Sequence, residues 1–269
     1  MTGALRYEWM RIRTIRSSYW MSALAIALTF GITLLMGLSI SAADLDDEFD
    51  SVDQVTTYIV LAGASGPFIP VMAAPFYAVM GVMAVGHEYR YGTNKATLSA
   101  IPDRVAVLAA KCVVLVAWVL ASIAITLLLG MAITWLLLDN PQFGSHLVRP
   151  LLNYTGYCVG FAVAGMGLAA LLRNQTGAIV AALTWPLVVE PIIYGVSLAI
   201  SETTGGGIGK LTNLLPSSAG RRSMFDPYEA IAGFGNGEVW SIGAAVIVFW
   251  LGVILVLAAG ATSFVKRDA

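Results

Sequence analysis

The composition of this chain excludes a water-soluble protein. Its 269 residues are 58% hydrophobic and only 12% charged, and its mean hydropathy is +0.80, which is far too apolar for a soluble domain. The formal net charge is −1, with 15 Lys and Arg against 16 Asp and Glu, so no excess of basic residues points to a nucleic acid. We therefore expect a membrane protein that does not bind nucleic acid.

Residues 1–18 predict an amphipathic helix that lies at the membrane surface. Apolar side chains recur along it at helical spacing, at Leu5, Trp9, Ile12 and Ile15. Its cations suit lipid head groups, and they are Arg6, Arg11, Arg13 and Arg16. Membrane lipid is thus an expected partner of this helix.

Six apolar stretches predict six transmembrane helices, because each exceeds the roughly 20 residues that cross a bilayer core as a helix. They are residues 19–40, 58–86, 112–138, 151–172, 178–200 and 240–265, and Glu190 is the one charged residue within them. The longest interval between them, 201–239, is too short for a separate soluble domain. The prediction is an all-α membrane protein with a single transmembrane domain over residues 1–269.

The distribution of cations predicts that both termini are cytoplasmic. With the N-terminus inside, the internal segments contain 11 Lys and Arg residues and the external segments contain 4, in agreement with the positive-inside rule. The acidic loop 41–57 and the segment 201–239 are then expected outside the membrane.

The cytoplasmic connection between the second and third spans is longer than a simple helical hairpin needs. Gly92 is expected to break the first helix, Thr93 to cap a second short helix over residues 94–100, and Pro102 to help end it. Two interpretations remain open at this point. The connection is a cationic loop that anchors topology, or it is a surface against which a partner protein acts.

This connection carries the patterns Glu88-x-Arg90-x-Gly92-Thr93, Ala96-Thr97-Leu98 and Pro102-x-Arg104. With these patterns it resembles the matching segment of bacterial ABC-2 type transporter permeases, particularly small six-span ones of the actinobacterial type. The N-terminal amphipathic helix, the six spans, the sequence of residues 185–191 and the short motif at residues 214–217 fit the same family. The likeness therefore covers essentially the whole chain.

The resemblance implies a permease subunit of an ABC exporter in the bacterial plasma membrane, paired with a second copy or a related permease. Segment 87–105 would be a coupling helix docked on a separate ATPase subunit. The residues expected at that contact are Glu88, Arg90, Gly92, Thr93 and Lys95. ATP and Mg²⁺ would bind to the ATPase, while this chain would hold no cofactor or metal and would catalyse no reaction.

The fifth span contains a carboxylate at a costly position. Glu190 is expected near the bilayer midplane, where a charge costs about 2.5 kcal/mol or more unless it is paired, hydrated or protonated. Pro186 and Pro191 flank it and remove helix hydrogen bonds. Two interpretations stay open: a polar point on a transport path or gate, or a hydrogen-bonded residue that holds a kink. Pro67 and Pro70 make the second span similarly irregular and are further candidates for the path.

Two other classes of function compete with the exporter interpretation. A stand-alone secondary transporter or channel is expected to have several intramembrane charges and inverted repeats. The spans contain a single charge, Glu190, and no visible repeat, which counts against this hypothesis. An intramembrane enzyme is the third and weakest hypothesis. Neither a nucleophile–base pair nor a metal-binding motif is evident in the sequence. The glycine-rich run 204–211 also departs from a phosphate-binding loop, since Thr204 and Leu211 replace the required glycine and hydroxyl residues. For an exporter, the apolar spans favour an amphipathic cargo, such as a peptide antibiotic or a lipid-like molecule.

Overall fold

A computed structural model of the chain describes residues 2–42, 52–62, 73–138, 140–204, 212–224 and 240–266. The regular structure in these ranges is helical, with no strand among them. The first helices are α1 (Thr2–Thr14), α2 (Arg16–Ala42), α3 (Val52–Ala62), α4 (Ala73–Tyr91), α5 (Asn94–Ala100) and α6 (Arg104–Leu137). They are followed by α7 (Ser145–Leu172), α8 (Gln175–Thr184), α9 (Glu190–Thr204), α10 (Pro216–Arg222) and α11 (Ile242–Lys266).

Five helices are long and apolar enough to cross a membrane. They are α2, α6, α7, the continuous helix formed by α8 and α9, and α11. The chain is therefore an all-helical, multi-pass membrane protein, as its composition predicts. The predicted second span, 58–86, falls on α3 and α4, and residues 63–72 between these helices lie outside the described residues. Pro67 and Pro70 are among those residues, so the six-span arrangement stays a prediction.

Helix α7 lies at the centre of the bundle, with α4 on one side and α11 on the other. Small residues allow these helices to approach closely. Gly81 of α4 lies so near to α7 that a Cβ atom there would overlap the backbone carbonyl of Ala162. Gly160 of α7 in turn accommodates Phe249 and Val253 of α11. The small residues Gly81 and Gly160 therefore hold α4, α7 and α11 together within one subunit.

The helix that forms the fifth span changes its hydrogen-bond pattern at its two prolines. Residues Trp185–Val189 form a π-helical turn between α8 and α9. The backbone N–H of Glu190 donates to the carbonyl of Trp185, five residues earlier. Pro186 and Pro191 lack N–H groups, so the regular α-helical ladder cannot continue through them. The predicted irregularity of this span is present, and it takes the form of a π turn.

The segment before α11 turns back among the membrane helices. Gly220 of α10 packs against Tyr157 and Phe249, and Pro216 lies beside Gly252. Gly252 is about 15 Å from the start of α11, at roughly 1.5 Å of rise per residue. The sequence predicted that the whole segment 201–239 lies outside the membrane. Residues 212–224 pack against α7 and α11, and the external placement of segment 201–239 stays a prediction.

Candidate functional site

The short helix predicted between the second and third spans is present at the predicted residues, as α5. Helix α4 ends at Gly92, whose φ of 66° lies in the left-handed region that favours glycine. The N–H of Thr93 donates to the carbonyl of Glu88 at 3.0 Å, which is the hydrogen bond of a Schellman cap. The predicted capping role of Thr93 is wrong in one respect. Its side chain makes no cap hydrogen bond, and its backbone carbonyl accepts from the N–H of Thr97 instead.

The connection through α5 is short and ordered at both ends. Asp103 caps α6, because its carboxylate accepts a hydrogen bond from the backbone N–H of Ala106 at 3.0 Å. Thr97 is buried against the bundle, whereas Lys95 and Arg90 are exposed. The guanidinium of Arg90 lies 5.6 Å from the centre of the Tyr91 ring. Of the predicted docking residues, Arg90, Gly92, Thr93 and Lys95 are therefore on the surface.

Glu88 does not share that surface. It is only 3% exposed, and its carboxylate points into the bundle. One carboxylate oxygen, Oε1, lies 2.5 Å from the Nζ atom of Lys111 and 3.0 Å from a guanidinium nitrogen of Arg11. The prediction that Glu88 contacts the ATPase directly therefore has no support in this geometry, because helices of the same chain enclose the side chain.

Two further carboxylate contacts complete a buried charge cluster, which comprises Glu8, Arg11, Glu88 and Lys111. Glu8 lies 2.7 Å from Lys111 and 3.1 Å from Arg11. Lys111 is 1% exposed and Glu8 is 3% exposed. With two acids and two bases the cluster is formally neutral, which limits the cost of removing four charges from water. It joins α1, α4 and α6 directly beneath the connection that carries α5.

Sequence reasoning missed Glu8 and Lys111, and it assigned Arg11 to lipid head groups. A signal for Glu8 was present, since Ala4, Glu8 and Arg11 follow one another at helical spacing and predict a common face. This charged face, and not the apolar stripe, is the buried side of α1. Lys111 immediately precedes the predicted third span, so the sequence places it in the cytoplasmic connection. In the structure it lies inside α6.

Glu190 is held by four hydrogen-bond donors. Its Oε1 accepts from the indole N–H of Trp185 and the backbone N–H of Ser217, both at 2.9 Å. Its Oε2 accepts from the backbone N–H of Ser218 at 2.8 Å and from the hydroxyl of Ser218 at 2.9 Å. Four donors match the acceptor capacity of an ionised carboxylate. The residue is 1% exposed, and it fastens α10 to the π turn.

This geometry favours the structural interpretation of Glu190 over a role on a transport path. Pro186 and Pro191 belong to the turn that presents the carboxylate to α10, so they act through backbone shape.

Within the described residues, no group of three or more His, Cys, Asp or Glu residues is placed to hold a metal ion. Comparisons of the chain with protein-family models, with curated proteins and with solved structures gave no match.

Proposed function

We propose that this chain is the permease subunit of an ABC exporter of the ABC-2 type, coupled through α5 to a separate ATPase. The resemblance of residues 88–104 supplies the family. The observation that carries the proposal is the mechanical connection of α5 to the rest of the chain. A helix that receives a force must be joined rigidly to the spans that the force moves.

Three contacts make that connection rigid. The Schellman cap at Gly92 joins α5 to α4, and Asp103, three residues after the end of α5, caps the start of α6. Behind them, the Glu88–Lys111 ion pair locks α4 to α6, and Glu8 and Arg11 add α1 to the same unit. A displacement of α5 by an ATPase would therefore move α1, α4 and α6 together.

The lengths of the helices agree with such an arrangement. Helix α6 has 34 residues and is about 51 Å long at ~1.5 Å per residue, compared with a hydrocarbon core of about 30 Å. One or both of its ends must therefore extend beyond the bilayer core. If the N-terminal end of α6, which follows α5, extends beyond the bilayer core, it holds α5 away from the lipid and within reach of a soluble partner.

The chain would not act alone in this function. In the proposed complex, two permeases, identical or related, stand over two ATPase subunits, and ATP and Mg²⁺ bind to the ATPases. Both termini of the permease face the cytoplasm of a bacterial cell. An amphipathic molecule suits the apolar character of the spans as cargo.

A secondary transporter, the main alternative, would use buried charges to bind ions or protons. The buried charges described here have other partners. Both oxygens of Glu190 are occupied by donors from Trp185, Ser217 and Ser218, and the buried charge cluster is neutral by itself. Each of these buried charges is thus paired or hydrogen-bonded within the chain, which suits helix packing better than ion binding and supports the exporter proposal.

The proposal predicts that the chain, purified from its native membrane in mild detergent, brings with it an ATPase that has Walker motifs. Reversing the exposed charge, with Arg90→Glu, should reduce recovery of that ATPase. The loss of a charge pair at a partly desolvated interface costs about 2 kcal/mol or more, or roughly 30-fold in affinity. The measurement is quantitative co-purification, followed by the ATP hydrolysis and transport of each complex.

Arg6→Glu provides the matched control, because it makes the same charge reversal at an exposed position of α1. Gly92→Val tests the same interface by another route, since a β-branched residue resists the positive φ of this position. Protease accessibility should show unchanged topology in all three variants. Full ATPase recovery and transport with both Arg90→Glu and Gly92→Val would mean that the α5 connection only anchors topology.

A further inference from the structure

The carboxyl-terminal end of α11 is capped by two arginines from other parts of the chain. The carbonyls in the last turn of a helix have no donor within the helix itself. In α11 the Nη1 atom of Arg104 lies 3.2 Å from the carbonyl oxygen of Val265 and 3.5 Å from that of Phe264. The Nη2 atom of Arg173 lies 3.2 Å from the carbonyl oxygen of Ser263. Three consecutive carbonyls therefore have donors, and we call these contacts the α11 clasp.

The electrostatics of a helix end favour cations at the clasp. Carbonyls without intrahelical donors give the end of α11 a partial negative charge, which attracts a guanidinium group. Both arginines are half-buried, and a hydrogen bond to a charged donor is stronger there than in open water. Lys266, the last residue of the same helix, is exposed. Proximity to the helix end is therefore not enough to bring a cation into the clasp.

The backbone at Arg173 is constrained in a way that local preference does not explain. This residue follows α7 directly, and its φ of 51° lies in the left-handed region, where glycine or asparagine is more usual. Its guanidinium lies 5.9 Å from the centre of the Tyr89 ring of α4. Burial raises the pKa of Tyr89, so the ring is neutral and offers its face to the cation. The side chain of Arg173 thus joins the turn between α7 and α8 to α4 and α11.

Arg104 connects the clasp to α5. It is the first residue of α6, and it follows Asp103, which caps that helix. Only residues 101–103 separate it from the end of α5. A displacement of α5 and the start of α6 therefore moves the side chain that holds the end of α11. The exporter proposal gives this arginine no role.

Helix α11 extends from the clasp to α10. Its Phe249 packs against Gly220 of α10, and its Gly252 packs against Pro216. The clasp lies about 18 Å along the helix from Gly252, at ~1.5 Å of rise per residue. Because α11 is one continuous helix over Ile242–Lys266, a shift of its clasped end is carried along it to the residues that pack on α10.

We propose that Arg104 is a positioning residue that transmits a displacement of α5 through α11 to α10. The inference rests on the proposed function, since an ATPase would displace α5. It adds a second route to the buried charge cluster, which joins α1, α4 and α6. Through the clasp, an event at α5 changes the packing of a segment that the sequence predicts on the opposite side of the membrane.

Amide hydrogen exchange of the full chain in detergent, without an ATPase, tests the clasp itself. Arg104→Met and Arg173→Met should each raise the exchange rate in the last turn of α11 about tenfold, because helix ends without such contacts open locally. Lys266→Met is the matched control, since it removes an exposed cation from the same helix end, and it should change the rate less than about twofold. Wild-type exchange in both arginine variants would overturn the clasp, whether or not the chain binds an ATPase.

Limited trypsin digestion of the ATPase complex tests the transmission. ATP should change the rate of cleavage after Arg221 and Arg222, which are half-buried beside α11, in the wild-type complex. Arg104→Met should abolish this response while recovery of the ATPase stays at the wild-type level. Arg173→Met loosens the same helix end without cutting the link to α5, so it should retain the response.

Three outcomes would overturn the transmission. They are no ATP response in the wild-type complex, an unchanged response in Arg104→Met, and an equal loss of response in Arg104→Met and Arg173→Met. The last would show that α11 needs an ordered end and not the link through Arg104. Failure of the wild-type chain to recover any ATPase would contradict the proposed function, and with it the transmission, while the exchange measurement would still decide the clasp.

Discussion

Lys111→Met should strongly destabilise the protein. The substitution removes one of the two cations of the buried charge cluster and leaves the carboxylates of Glu8 and Glu88 with Arg11 alone. Breaking a buried ion pair in this way costs about 3–5 kcal/mol. We expect the apparent unfolding temperature in detergent to fall by roughly 10 °C. Thermal denaturation followed by size-exclusion chromatography measures the change.

A second substitution tests whether uncompensated charge causes the loss. Adding Glu8→Gln to Lys111→Met returns the cluster to neutrality, with Arg11 and Glu88 as the remaining pair. The double variant should therefore be more stable than Lys111→Met alone, by about 1–3 kcal/mol of coupling. Lys95→Met is the matched control, since this lysine is exposed on α5, and it should change stability by less than about 0.5 kcal/mol. If the free-energy losses of Glu8→Gln and Lys111→Met simply add in the double variant, the four charges do not interact as a cluster.

The cluster also links stability to the proposed function. If it transmits motion from α5, the double variant should recover folding and ATPase binding while the coupling between ATP hydrolysis and transport stays reduced. The neutral double variant lacks the ion pair between Lys111 of α6 and Glu88 of α4. Arg11 still pairs with Glu88, but it joins α4 to α1 and not to α6. The ratio of ATP hydrolysed to cargo moved, compared with that of Lys95→Met, measures this coupling.

Glu190→Ala should release α10 from the membrane helices. The change removes the acceptor for four donors, of which the N–H of Ser217 is buried and that of Ser218 is part-buried. Each buried donor left without a partner costs about 1–3 kcal/mol, so a loss of several kcal/mol follows. Trypsin should then cut after Arg221 or Arg222, which are half-buried in the wild-type protein. Mass spectrometry of the peptides, together with the unfolding temperature, measures the release.

The order of a short series of variants distinguishes this anchoring role from a role on a transport path. Glu190→Gln keeps one acceptor oxygen but directs an amide NH₂ group toward donors, so its effect should be intermediate. Ser218→Ala and Trp185→Phe each remove one donor and should have the smallest effects. On a transport path, by contrast, Glu190→Gln would alter transport without altering trypsin protection. That outcome would contradict the structural assignment.

Local properties of the sequence were sufficient to predict much of the helical framework. Long apolar runs are favourable inside a bilayer regardless of their neighbours in the fold. A backbone in lipid must satisfy its own hydrogen bonds, so such runs form helices. The break at Gly92 and helix α5 were predicted for a similar reason, because glycine accepts a positive φ regardless of distant contacts. The π turn also follows from local chemistry, since Pro186 and Pro191 cannot donate backbone hydrogen bonds.

The partners of the charged residues were decided by tertiary structure. Glu8 and Lys111 are separated by 103 residues in the chain, and nothing in either segment specifies that α1 packs against α6. The same holds for Glu190, whose Ser218 partner belongs to a segment that composition alone places in water. Charges in a low-dielectric interior gain or lose several kcal/mol according to their neighbours. Which helices meet therefore decides whether such a residue is a surface cation, a docking contact or part of the buried frame.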